Sequence, residues 1–78
     1  MDEIKQIVEQ IGGYRITPIP NPTLIRFMRD DNAAFIDIWP RSMTIGVCEK
    51  GKRTRYYRDC TLDDFTEFLL SPTTYRVK

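Results

Sequence analysis

Residues 23–59 read TLIRFMRDDNAAFIDIWPRSMTIGVCEKGKRTRYYRD, and this stretch decides the fold. Apolar residues alternate along it, the period-2 pattern of strands with one buried face. Three short turn signals divide it: Asp31-Asn32, Pro40-Arg41 and Lys50-Gly51. Two-residue loops at these points would be the shortest common hairpin connections. The first loop sets Phe27 opposite Ile36 and Ile25 opposite Ile38. The second sets Ile38 opposite Met43 and Ile36 opposite Ile45. The third sets Val47 opposite Thr54 and Ile45 opposite Tyr56.

Under those registers one sheet face collects Ile25, Phe27, Ala34, Ile36, Ile38, Met43, Ile45, Val47 and Tyr56. A one-residue slip would throw a strand onto the wrong face. The agreement of the three registers therefore argues for a four-stranded antiparallel meander. Pro40 suits a loop but is not ideal for a type I′ turn, which makes the second hairpin the weakest of the three.

Outward from the meander, Ile4, Ile7, Val8 and Ile11 fall on one helical stripe, and Gly12-Gly13 stops it. The spacing predicts a helix over 2–11. Tyr14 to Thr17 suits a short fifth strand at the sheet edge, blunted by Pro18, Pro20 and Pro22. A second helix is expected over 61–70, with Thr61 as its N-cap and Asp64 as the acid of a capping box. Leu62, Phe65 and Leu69 form its apolar stripe, widened by Phe68 and Leu70. The expected fold is α+β: one domain over 1–72, with a helix at each end and a loose tail over 73–78.

A chain of 78 residues with 41% hydrophobic and 29% charged content suits one globular domain. A core this small supports about 3–5 kcal/mol of net stability, and small domains often add a staple. With no histidine and two cysteines, a zinc site of the common Cys/His kind cannot be assembled, and no metal or cofactor is expected. Self-association is the remaining staple. Cys48 and Cys60 fall on opposite parities, so free thiols are expected. Charges near the N-terminus interrupt any signal-peptide core, and no apolar run approaches the length of a bilayer span. A cytoplasmic protein without membrane contact is the expectation.

The net charge is +1, but its distribution is uneven. Residues 50–58 hold five bases and no acid. Residues 59–67 hold four acids and no base. The simplest expectation is a basic strand beside an acidic helix start, each solvated or paired with the other.

The sheet face away from the aliphatic residues is the candidate functional surface. The expected registers place Leu24, Arg26, Met28, Phe35, Asp37, Trp39, Thr44, Gly46, Cys48, Arg53, Arg55 and Tyr57 on it. Arg26, Phe35, Trp39, Lys52, Arg53, Arg55 and Tyr57 are the candidate binding residues. A face built this way can be covered by a helix or left open. Left open, its aromatic and arginine content suits another protein or a second copy of the chain. The alternative partner is single-stranded nucleic acid, whose bases stack on aromatic rings beside cations. The segment Lys52-Arg53-Thr54-Arg55-Tyr56-Tyr57-Arg58 has that interleaving, but no RNP-type signature occurs. On this reading Arg53→Glu with Arg55→Glu would abolish nucleic-acid binding and leave the fold intact.

An enzyme is not expected. The commonest general base is missing, and no P-loop, dinucleotide fingerprint or nucleophile elbow is present. Asp30-Asp31 reads as turn chemistry, and Cys48 has no visible partner base. The helix–meander–helix plan is similar in size and style alone to many small phage-borne or mobile-element proteins. It suits an inhibitor or adaptor.

Overall fold

The computed structural model describes residues 2–77. The element order is α1 (Asp2–Ile11), β1 (Tyr14–Thr17), β2 (Ile25–Arg29), β3 (Ala34–Trp39), β4 (Thr44–Glu49), β5 (Arg55–Tyr57) and α2 (Leu62–Leu70). The five strands form one antiparallel sheet in the order β1-β2-β3-β4-β5. The fold is α+β, as expected, and the edge strand at 14–17 is present.

Both helices lie on the same sheet face. Ile4 and Val8 from α1, with Phe65, Phe68 and Leu69 from α2, are buried against Phe27, Ile36, Ile38, Ile45 and Val47. Gly12 and Gly13 take φ values of 75° and 81°, and the Gly12 amide donates to the Val8 carbonyl at the end of α1. Such left-handed conformations are open to glycine without strain. At α2 the Thr61 hydroxyl accepts from the Asp64 amide. Asp64 Oδ2 accepts from the Thr61 amide at 2.9 Å, which completes the capping box.

The three hairpins differ from one another in how they meet the expected registers. Between β2 and β3 the register is the expected one, with Phe27 opposite Ile36 and Ile25 opposite Ile38. Between β3 and β4, Ile38 faces Ile45 and Trp39 faces Thr44. The loop spans residues 40–43, two longer than expected. Pro40 cannot adopt a left-handed turn position, and the positive φ falls instead on Met43, at 51°. A two-residue slip preserves parity, so every side chain in this hairpin stays on its expected face.

Between β4 and β5 the slip is one residue. Ile45 faces Tyr57, Gly46 faces Tyr56 and Val47 faces Arg55. The turn closes from the Lys52 amide to the Glu49 carbonyl, and positive φ occurs at Gly51 but not at Lys50. A type I′ turn needs it at both central residues. Lys52 thereby becomes an extra loop residue, and β5 is turned over. Arg55 and Tyr57 point to the helix side, and Tyr56 points away from it.

The segment after α2 is docked, which corrects the expectation of a loose tail for residues 73–77; Lys78 lies outside the described residues. Pro72 is buried, and Tyr75 and Val77 pack against the core. The Tyr75 ring meets Phe68 edge-on at 4.8 Å, an arrangement worth about 0.5–1.5 kcal/mol beyond its buried area. Its hydroxyl donates to Asp64 Oδ1 at 2.6 Å. The Tyr14 hydroxyl likewise donates to the Leu69 carbonyl at 2.8 Å.

These two phenols are expected to contribute to a loss of stability at alkaline pH. Burial pushes the Tyr14 pKa up to about 12, and the bond to Asp64 does the same for Tyr75, against an ordinary value of 10.0. Both folded-state values are raised, so their stabilisation is intact below pH 10.0 and is lost as pH climbs to about 12. Asp64 is depressed, first by the Tyr75 hydroxyl and then by the Thr61 amide. Its contribution is present above its ordinary 3.8 and is lost as pH falls through the depressed value. Thermal melts across pH should therefore decline at both extremes. Tyr14→Phe with Tyr75→Phe should flatten the alkaline decline. An unchanged decline in that double variant would show that other groups set it.

Candidate functional site

With both helices on one side, the other face of the sheet has no helix over it. Its centre is a cross-strand row, one residue from each strand: Thr17, Arg26, Asp37, Gly46 and Tyr56. Asp37 is only 4% exposed. Its carboxylate accepts Nε and Nη2 of Arg26 at 2.8 and 3.0 Å, a bidentate fork. A carboxylate this desolvated needs a charged partner, and Arg26 supplies it. The same bonds raise the Arg26 pKa further above its ordinary value. The guanidinium carbon sits 4.1 Å from the Phe35 ring centre, so one face of that ring is already occupied by a cation.

Beside this pair lies an aromatic seat. A Cβ on Gly46 would stand 3.1 Å from Tyr56 Cε1 and 3.4 Å from Trp39 Cζ3. The two rings lean over the bare glycine and meet at 6.0 Å between centroids. The mid-strand glycine thus marks a close approach, here by side chains of the same chain. Tyr56 remains 63% exposed, and Phe35 and Trp39 are half-buried.

Of the residues expected on this surface, Arg26, Phe35 and Trp39 are brought together. Lys52 lies in the β4–β5 loop, 3.5 Å from Glu49 Oε1. Arg53 is exposed just before β5 and makes no ion pair among the described residues. Arg55 and Tyr57 do not belong to the surface; the one-residue slip in the third hairpin sends both inward. Tyr57 packs on Phe68 at 5.0 Å. Arg55 donates to the Tyr57 hydroxyl at 2.9 Å and to the carbonyls of Pro72 at 2.6 Å and Tyr75 at 3.3 Å, and lies 3.6 Å from Glu49 Oε2.

Sequence reasoning missed Tyr56 and Arg58. Both follow from shifting β5 by one position, and the signal in the sequence was that Lys50-Gly51 offers one glycine where a type I′ turn needs positive φ at both central residues. Arg58, Asp59, Ser42, Thr44 and Trp39 line a shallow recess at one corner of the face. Cys48 lies on the face opposite Phe35, and Cys60 is buried in the core; both are free thiols. Asp31 caps its own turn by accepting the Ala33 amide, as its turn reading implied.

Charge is divided between the two layers. The helices carry six acids and one base, a net charge of −5. The remaining residues carry eleven bases and five acids, a net charge of +6. Among the described residues no ion pair joins the basic run at 50–58 to the acidic run at 59–67. The small net charge of the chain is therefore a cancellation between two acidic helices and the basic remainder of the sequence, of which the strands themselves carry four bases and two acids.

No family model matches this chain, and the comparisons with curated proteins and with solved structures gave no significant match. Among the described residues no helix is long and apolar enough to cross a membrane, and no three potential metal ligands cluster.

Proposed function

We propose that this chain is a small non-enzymatic binding module, of adaptor or inhibitor type, that docks another protein on its open sheet face. The observation that carries this reading is the placement of both helices on one side. Phe35, Trp39 and Tyr56 are left on the other side with no helix above them. Aromatic residues and arginine are the types enriched at protein interfaces.

A protein partner is favoured over single-stranded nucleic acid by the centre of the face. Arg26 is already neutralised by Asp37, and its guanidinium occupies one side of the Phe35 ring. Two of the cations and rings that made the nucleic-acid reading attractive, Arg55 and Tyr57, face the core.

A photo-crosslinking phenylalanine analogue at Tyr56 tests the proposal in cells that carry the chain. The same analogue at Glu9, on the helix layer, is the control. A discrete protein adduct from position 56 and none from position 9 is expected. Equal labelling at both positions, or none at either, removes the reading. A nuclease-sensitive adduct transfers it to nucleic acid.

A further inference from the structure

The β1 end of the sheet carries backbone groups that no strand uses. The Asp30 amide donates to the Gly13 carbonyl at 2.9 Å, and Tyr14 lies opposite Arg29. Residues of an antiparallel pair alternate between bonding to their partner strand and pointing away from it. Arg15 and Thr17 therefore bond to β2, while the backbone groups of Tyr14 and Ile16 point outward. Pro18, Pro20 and Pro22 continue that parity without amide donors, which confines the usable edge to residues 14–18. Ile16 is its middle residue. Its side chain shares the helix-side face with Phe27, yet it is 52% exposed. An edge with free donors and a bare aliphatic side chain is a template for another strand.

The flank of α1 selects the occupant. Two recesses lie beside Ile16, one reaching Gly12 and Tyr14, the other Pro18 and Ile19. Lys5 borders both recesses, and Glu9 borders only the one at the Tyr14 end. Both side chains are exposed and make no ion pair among the described residues. We infer that β1 pairs with β1 of a second copy, antiparallel and with Ile16 opposite Ile16, to join two five-stranded sheets across a two-fold axis. Each Ile16 amide donates to the other copy's Ile16 carbonyl, and each Tyr14 amide donates to the other copy's Pro18 carbonyl. The two Ile16 side chains cover each other on the helix side. The reversal carries Glu9, at the Tyr14 end of one copy, to the Pro18 end of the other, where Lys5 stands. Each copy thus supplies the base and the acid that the other needs, and the contact closes at two chains. The neighbouring symmetric registers fit worse. One sets Arg15 opposite Arg15, like charges face to face. The other sets Ile16 against Gly12, whose φ of 75° is not that of a strand. The pairing leaves the open face free, so it goes beyond the docking reading and does not depend on it.

Sedimentation equilibrium tests the inference. The mean mass of the wild-type chain should rise with concentration up to about 1 mM, the regime of a weak contact, and should approach two chains without passing it. Ile16→Pro removes the central donor at an edge position where proline is tolerated, because that amide faces outward. This variant should stay monomeric with unchanged far-ultraviolet circular dichroism. Two charge variants resolve the geometry. Glu9→Lys makes both flanking residues basic, and Lys5→Glu makes both acidic; each exchanges one good helix former for another. Each alone should dimerise roughly tenfold more weakly, because both attractive contacts become repulsive. Mixed in equal amounts, the two should form a heterodimer about as tight as the wild-type dimer, since every lysine again meets a glutamate.

A wild-type chain that stays monomeric at about 1 mM overturns the inference. Association that continues past two chains does the same. An Ile16→Pro chain that dimerises like the wild type moves the contact off this edge and also overturns it. So does a mixture of the two charge variants that is no tighter than either alone. Should Ile16→Pro fail to fold, the mixture of charge variants decides by itself. The crosslinking test at Tyr56 continues to decide the docking reading separately. Its control remains usable, because the analogue at Glu9 removes the paired acid from both copies and an adduct of two copies is known by its doubled mass.

Discussion

Arg55→Ala is expected to lower stability by about 2–3 kcal/mol, because hydrogen bonds to a charged group are each worth about 1.5–3 kcal/mol and partial exposure discounts their sum. For a domain of this size that corresponds to a fall in Tm of roughly 10–20 °C. Arg55 ties β5 to the C-terminal segment through the carbonyls of Pro72 and Tyr75, and it is the partner of the half-buried Glu49. Its removal leaves the Pro72 carbonyl without its donor, while Glu49 keeps Lys52 and the Tyr75 carbonyl keeps Arg76. The neighbouring Arg53→Ala should change stability by no more than about 0.5 kcal/mol, the usual range for exposed sites without partners. Chemical denaturation of the two variants side by side is the check. Equal effects, or a larger one at Arg53, would mean that β5 is turned the other way. The same contrast corrects an expectation from the sequence: Arg53→Glu with Arg55→Glu is no longer a fold-neutral probe, since its second change buries a carboxylate beside Glu49.

A larger loss is expected from Phe65→Ala, about 3–5 kcal/mol by the usual cost of emptying a buried phenylalanine site. Phe65 has no exposed surface, and its ring lies 5.9 Å from that of Phe27, also fully buried. This contact joins α2 to the second strand of the sheet. The expected loss equals the whole net stability typical of so small a core, about 3–5 kcal/mol, so the variant should be largely unfolded at 25 °C. Phe65→Leu, which keeps most of the volume, should remain folded with a lowered Tm. Circular dichroism melts distinguish the two. An alanine variant that melts like the parent would place the core elsewhere.

How far the sequence could be read depended on parity. Alternation assigned β2, β3 and β4 to their faces, and it survived a wrong loop length at Pro40-Arg41 because two residues of slip cancel. It failed at Lys50-Gly51, where a single glycine allows a tight turn that is followed by one more loop residue. That one residue exchanged Tyr56 for Arg55 and Tyr57. Helix boundaries and the Thr61–Asp64 box were legible because their signals are local. The docked segment after Pro72 was not, because Tyr75 and Val77 show no period of their own. Their positions depend on Phe68, Asp64 and Arg55, which are far from them in local pattern. The coverage of the second face was likewise hidden, since either helix stripe could have packed on either side of the sheet.

The chain contains a single tryptophan, and it stands on the uncovered side of the sheet rather than in the core. Its emission therefore watches the outer surface. Occupation of that surface should move the indole to a drier setting and shift its colour to the blue, without any label attached. The molecule brings its own optical reporter, placed to sense visitors to that side.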